Sequence, residues 1–181
     1  MNYLKKTSLL LISLIAFSSC SSDDDNAVVP QPQNIVEIAL ESPNLTSLVA
    51  ALTAADGDLV DVLQGDGPFT VFAPTDEAFA AFLTSSGYEN LENVPTDALS
   101  QVLLYHVVGG NVTSSDLTNP GETTAETLQG DSITITLPGT EENIANITDG
   151  SGASDIGIVA VDIEASNGVI HVLNKVMIPN L

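Results

Sequence analysis

Phe69-Thr-Val-Phe-Ala-Pro-Thr-Asp-Glu-Ala-Phe79 contains a strand, a break and a helix start in one short stretch. Phe69 to Phe72 is rich in β-branched and aromatic residues and reads as a strand. Pro74 cannot donate to a ladder, so the strand ends there. Thr75 is a helix cap, and Asp76 and Glu77 set negative charge against the positive end of the helix dipole. Phe79, Phe82 and Leu83 then give the new helix an apolar face.

Upstream of this stretch the pattern is helical. Asn34 caps a helix carrying Ile35, Val36, Ile38 and Ala39, which stops before Pro43. Asn44 is placed to cap a second, with Leu45, Leu48, Val49 and Leu52 at helical spacing. Leu59, Val62 and Leu63 form a third, ended by Gly65 and Gly67. Downstream, Pro95-Thr96-Asp97 repeats the start signal, with Leu99, Val102 and Leu103 behind it. From Leu104 β residues take over: 104–108, 124–128, 132–137, 156–163 and 169–178 read as strands. Gln129-Gly130-Asp131 is a hairpin turn and Asp149 to Gly152 a longer one. The last strand is apolar on both faces, which places it in the middle of a covered sheet. Helices first and strands later define an α+β domain over residues 34–181.

The 181 residues carry 24 acids and 3 Lys+Arg, a formal net charge of −21. The cations are Lys5, Lys6 and Lys175, and Arg is absent. No basic patch can form, which excludes a nucleic-acid backbone and polybasic docking to anionic lipid. Yet 44% of the chain is apolar, enough for a substantial core. The single Cys excludes an internal disulfide framework and any Cys-based zinc site.

Residues 1–19 read as a secretory signal peptide: Lys5 and Lys6, then a Thr7 to Phe17 apolar run too short to span a bilayer. Removing it leaves 24 acids against Lys175, about −23 by the same count. Ser18-Ser19-Cys20 resembles the lipobox of bacterial lipoproteins, with Phe17 where Leu is more usual. The resemblance implies acylation of Cys20, each buried methylene anchoring by about 0.8 kcal/mol. Asp23 to Asp25 after Ser21-Ser22 resembles the acidic export tag of Gram-negative lipoproteins carried to the outer face of the outer membrane. Residues 20–33 are thus expected to be a lipidated Cys, an acidic tag and a flexible tether with Pro30 and Pro32.

Three segments stand in order: the opening stretch, Leu103-Leu-Tyr-His-Val-Val108, and Asn167-Gly-Val-Ile-His-Val-Leu-Asn-Lys-Val-Met-Ile-Pro179. With Thr127 to Asp131 between them, they resemble the fasciclin (FAS1) domain across residues 34–181. Gly109 stands where the family often has Pro, and Asn174 where it often has Asp. The resemblance implies a compact wedge of two β-sheets with helices along one edge. It also implies a role in adhesion at the cell surface rather than catalysis, with no cofactor. Tyr105 and His106 match the pair implicated in receptor binding in animal members. Thr75, Asp76, Asn167, Gly168 and His171 match motif positions with structural roles.

Read from the residues, His106 shares a strand face with Leu104 and Val108, and His171 one with Val169 and Leu173. Both are expected as buried ties rather than ligands. Gly130-Asp131-Ser132-Ile133 imitates a lipase-like nucleophile block, but neither His follows an Asp at the spacing that chemistry uses. Asp149 to Asp155 is a Gly-rich, oxygen-bearing loop and the one calcium candidate, through Asp149 and Asp155, without the EF-hand spacing. The expected function is a lipid-anchored surface module contacting a protein or glycan. The alternative is an envelope carrier for a small ligand in a crevice at the sheet edge.

Overall fold

The computed structural model describes residues 31–180 except 56, 57, 118, 141 and 142. The signal, Cys20 and the Asp23 to Asp25 run lie outside the described residues.

Among the described residues five α-helices and seven strands follow one another as α1 (Ile35–Glu41), α2 (Thr46–Ala54), α3 (Leu59–Gln64), β1 (Phe69–Pro74), α4 (Asp76–Ser86), α5 (Thr96–Tyr105), β2 (Val107–Gly109), β3 (Gly121–Glu126), β4 (Ser132–Leu137), β5 (Ala145–Thr148), β6 (Ile156–Ala165) and β7 (Gly168–Leu173). The class is α+β, as expected. Helix α1 starts in a capping box: Glu37 N–H donates to Asn34 Oδ1 at 2.9 Å, and Asn34 N–H to Glu37 Oε2 at 2.8 Å. Thr75 caps α4 through Ala78 N–H, and Gly87, at φ 76°, ends it in the left-handed conformation glycine tolerates.

The strands form one hydrogen-bonded sheet in the order β2-β1-β7-β6-β5-β4-β3. Only β1 and β7 run parallel. The two sheets implied by the resemblance are therefore two arms of a continuous sheet. They meet in β6, where the register slips between Ile158 and Ala160 and again between Ala160 and Ile163. Asp162 sits in this irregularity at φ 57°. Such bulges bend a strand and raise its twist. The bend brings the outermost strands together: Leu128 N–H donates to Val107 C=O at 2.7 Å, and Val108 bridges Thr127.

β1 and β7 are covered on both faces, which explains why apolar residues fall on both faces of each, interrupted by the buried Thr70 and His171. Val71, Ala73 and Ile170 face the helices and pack with Leu48, Leu63, Phe79 and Leu103. Phe72 and Leu173 face the other arm and pack with Ile133, Ile135, Ile147, Ile156 and Ile158. β4, covered on one face, alternates in burial as a half-exposed strand does.

Three expectations change. Residues 104–108 are not one strand: α5 runs through Tyr105, His106 caps it, and β2 begins at Val107. The last strand stops at Leu173 rather than Ile178. Asn44 does not cap α2, whose preceding residue Leu45 offers no side-chain bond.

Candidate functional site

The apolar residues after β7 pair with no strand, so their backbone donors need other partners. Two polar side chains supply them. Met177 N–H donates to His106 Nε2 at 3.0 Å, and Ile178 N–H to Asp149 Oδ2 at 2.8 Å. His106 Nδ1 faces Val102 C=O at 2.7 Å, so the ring is neutral with its proton on Nδ1. It is 2% exposed, and burial lowers its pKa from 6.5 to about 4. His106 thus joins the last turn of α5 to the C-terminal segment, rather than lying on a strand face.

Tyr105 is fully buried. Its hydroxyl accepts from Gly150 N–H at 2.7 Å and donates to Ser132 C=O at 3.2 Å. Burial raises its pKa; the Gly150 N–H opposes this, while the charges of Asp149 and Asp131 add to it. A partner approaching this conformation touches neither Tyr105 nor His106. Both hold the two arms and the C-terminal segment from inside.

Asp149 is also buried, and its carboxylate is taken up. Oδ1 accepts from Ser151 N–H, the Ser151 hydroxyl and Ala153 N–H, and Oδ2 from Ile178 N–H. Asp155 pairs with Lys175, whose hydrogen bond holds its pKa below the usual range. Asp149 is thus engaged by protein donors while Asp155 pairs with Lys175 at the surface, and Gly152 at φ 83° lets the loop turn. Among the described residues no group of three His, Cys, Asp or Glu is placed to share a metal.

His171 lies with Val169 and Leu173 on the buried face, as expected. Its Nε2 donates to Val112 C=O at 2.8 Å, Nδ1 accepts from Asp162 N–H at 3.3 Å, and the ring lies against Phe72. Asp162 returns the favour to the same loop by accepting from Ser114 N–H and hydroxyl.

Asp76 and Asn167 work at helix ends. Asp76, in the first turn of α4, caps α2: Ser47 N–H reaches Oδ1 at 2.6 Å and the Thr46 hydroxyl reaches Oδ2 at 2.8 Å. Burial works against its charge, but these donors outweigh it and the pKa falls. Asn167 accepts from Ile35 N–H at the start of α1 and donates to Leu63 and Gly65 C=O at the end of α3. Gly168 is required by close approach: a Cβ there would stand 1.9 Å from Phe69 O.

One of several hollows the scaffold leaves open is a groove beside α4, in two lobes of about 300 and 230 Å³ that share lining residues. Phe82 and Ile178 line both lobes. Ala78 and Ala81 on α4 and Val176 line the first, Val94, Leu99 and Val102 the second. The sequence reading missed this groove. Its signal was the Ala78-x-x-Ala81-Phe82-x-x-Ser85 spacing, small residues on one face of α4. Asn174, noted from the sequence only as a departure from the family, accepts from Gly157 N–H and donates to Asn143.

A helix-backed, bent seven-strand sheet with these internal ties defines the class of fold. The fasciclin domain model matches residues 43–179, and the chain belongs to that family. It is 41% identical over 145 residues to the uncharacterised protein sll1735 of Synechocystis, covering 80% of this chain and 97% of that one. It is 29% identical to the cell surface glycolipoprotein MPB83 of Mycobacterium bovis, covering 80% of this chain and 60% of that one. The solved FAS1 domain pair of the insect cell adhesion molecule fasciclin I matches its fold with a TM-score of 0.61 at 21% identity. That match covers 82% of this chain and 51% of the other.

Proposed function

We propose that this chain is a lipid-anchored surface module that makes contact with a protein or glycan outside the cell and performs no reaction. The observation that carries this reading is the fate of its two histidines. Both are 2% exposed and bonded to backbone through both ring nitrogens. A general base must reach a substrate proton, and these cannot. Ser132, the nucleophile look-alike, has its carbonyl bonded to the Tyr105 hydroxyl, and neither His has a ring nitrogen bonded to it. The mycobacterial relative named a cell surface glycolipoprotein supports the location, as does Cys20 after a short apolar run. The acidic surface favours partners that are basic or bridged by divalent cations.

Protease shaving of live cells tests the display. The full chain should be degraded on intact cells, and Cys20→Ala should release it into the medium or periplasm. A wild-type chain protected until the cells are lysed would overturn surface display.

A further inference from the structure

We infer that the open edge of β3 is where an extended, basic segment of a partner protein adds a strand to the sheet. The inference rests on the contact-module reading above and specifies the contact as protein rather than glycan.

β3 is the outermost strand of its arm and pairs with β4. In an antiparallel pair the backbone groups of alternate residues point at the partner, and those between point away. Two hydrogen bonds fix which are which. Thr127 N–H donates to Asp131 C=O across the hairpin, so odd-numbered residues of β3 face β4. Leu128 N–H donates to Val107 C=O on the opposite side, so even-numbered residues face outward. The ladder from Gly121 to Glu126 has no register shift, so the alternation holds along the strand. β2 closes this edge at the Val108–Thr127 bridge. Beyond it, the N–H and C=O of Glu122 and of Thr124 have no hydrogen-bond partner among the described residues. Outward donors and acceptors at this spacing are met by another strand; a helix satisfies its own backbone.

Natural edges are blunted by bulges, by Pro, by shortness or by charge. β3 has six residues, an unbroken ladder and no Pro after Gly121. Its one such device is charge: Glu122 and Glu126 are exposed and lie in the edge strand itself. Neither carboxylate has a hydrogen bond or ion pair among the described residues, where Lys175, the single Lys or Arg, is paired with Asp155. This charge selects the occupant. A second copy paired antiparallel about Thr124 would set Glu122 against Glu126 twice, and like charges directly opposite are unfavourable. Lys or Arg at those two positions meets them well. The residues between them would lie beside Thr123 and Ala125. Ala125 is half-buried against the core of this arm, so a small apolar residue fits there. The partner motif is thus basic, apolar, neutral, apolar, basic.

The test measures fluorescence anisotropy of a labelled Lys-Val-Thr-Val-Lys peptide titrated with the full chain. A second peptide of the same charge is N-methylated on the amides that would face β3. Thr124→Pro removes an edge donor that points away from β4, so the ladder keeps its bonds; thermal melts confirm that the variant remains folded. The expected result is a loss of about tenfold or more in affinity for the N-methylated peptide and for Thr124→Pro. Glu122→Lys combined with Glu126→Lys should transfer binding to Glu-Val-Thr-Val-Glu. Equal binding by the N-methylated peptide or by Thr124→Pro overturns the inference in favour of adsorption to an acidic surface. No binding by the unmodified peptide also overturns it, and leaves an edge that is only shielded. A dimer in sedimentation that Thr124→Pro abolishes overturns it in favour of a second copy. If cells displaying Thr124→Pro attach as wild type does while gene-deleted cells do not, the edge is dismissed and the contact module stands. If gene-deleted cells attach equally well, both fall.

Discussion

At the scale of single residues, His106 is buried and bonded to backbone through both ring nitrogens. Its pKa falls from 6.5 to about 4 on folding. A depressed folded value means that acid favours the unfolded chain. The stabilisation is whole above pH 6.5 and is lost as pH falls toward 4, about 3 kcal/mol over that window. His106→Asn removes the titration. We expect the variant to be less stable at pH 7, with the gap to wild type closing as pH drops from 6.5 to 4 in urea melts. A gap independent of pH would contradict the buried neutral ring. The sequence named Tyr105 and His106 but put them on the wrong kind of element. Tyr105, Val107 and Val108, three β-favouring residues within five, outweighed the helical spacing of Leu99, Val102, Leu103 and His106, which the packing of α5 obeys. Exposure was equally hidden, because the partners of His106 and Asp149 lie far along the chain at Met177 and Ile178.

At the scale of elements, Asn167 and Asp76 join helices that propensity alone would not hold in place. α1 and α3 have 7 and 6 residues, short enough to be marginal in isolation. Asn167→Ala should cost about 2–4 kcal/mol, since it leaves one donor and two acceptors of these helices unpaired. Asn167→Asp should be at least as damaging at pH 7, because its carboxylate would face the Leu63 and Gly65 carbonyls. An Asp variant more stable than the Ala variant would show that the two carbonyl contacts are unimportant. Asp76→Ala should cost about 1–2 kcal/mol by uncapping α2, measured by chemical denaturation. The strand and helix runs around Phe69 to Phe79 were legible because cap, charge and apolar face agree there. β5 was not: Ala145-Asn146-Ile147-Thr148 is short, and only its burial against β4 and β6 makes it a strand. The C-terminal apolar run looked like more strand because sequence does not show that side chains satisfy its backbone.

At the scale of the whole molecule, the charge is a physical variable rather than a label. Of the 24 acids, Asp23 to Asp25 precede the described residues, and Lys175 is the one Lys or Arg after Lys6. Self-repulsion of this kind destabilises a compact state and is screened over about 8 Å at physiological salt. The melting temperature should therefore rise by several degrees between about 10 and 300 mM NaCl, as a calorimetric scan would show. A fall would mean that attractive pairs dominate, which Lys175–Asp155, the one ion pair among the described residues, does not support. Fold and family were legible from three ordered motifs, because those motifs are internal struts on which the fold depends. The groove was not, because it is assembled from α4, α5 and the C-terminal segment, none of which announces it alone.

The central claim is that the chain acts by contact at the cell surface. Attachment of intact cells to matrix-coated surfaces tests it most directly, comparing a gene deletion with strains complemented by the full chain or by Cys20→Ala. Attachment should fall on deletion, return with the full chain and stay low with Cys20→Ala. Equal attachment by all strains, at every salt and calcium concentration, would contradict the account.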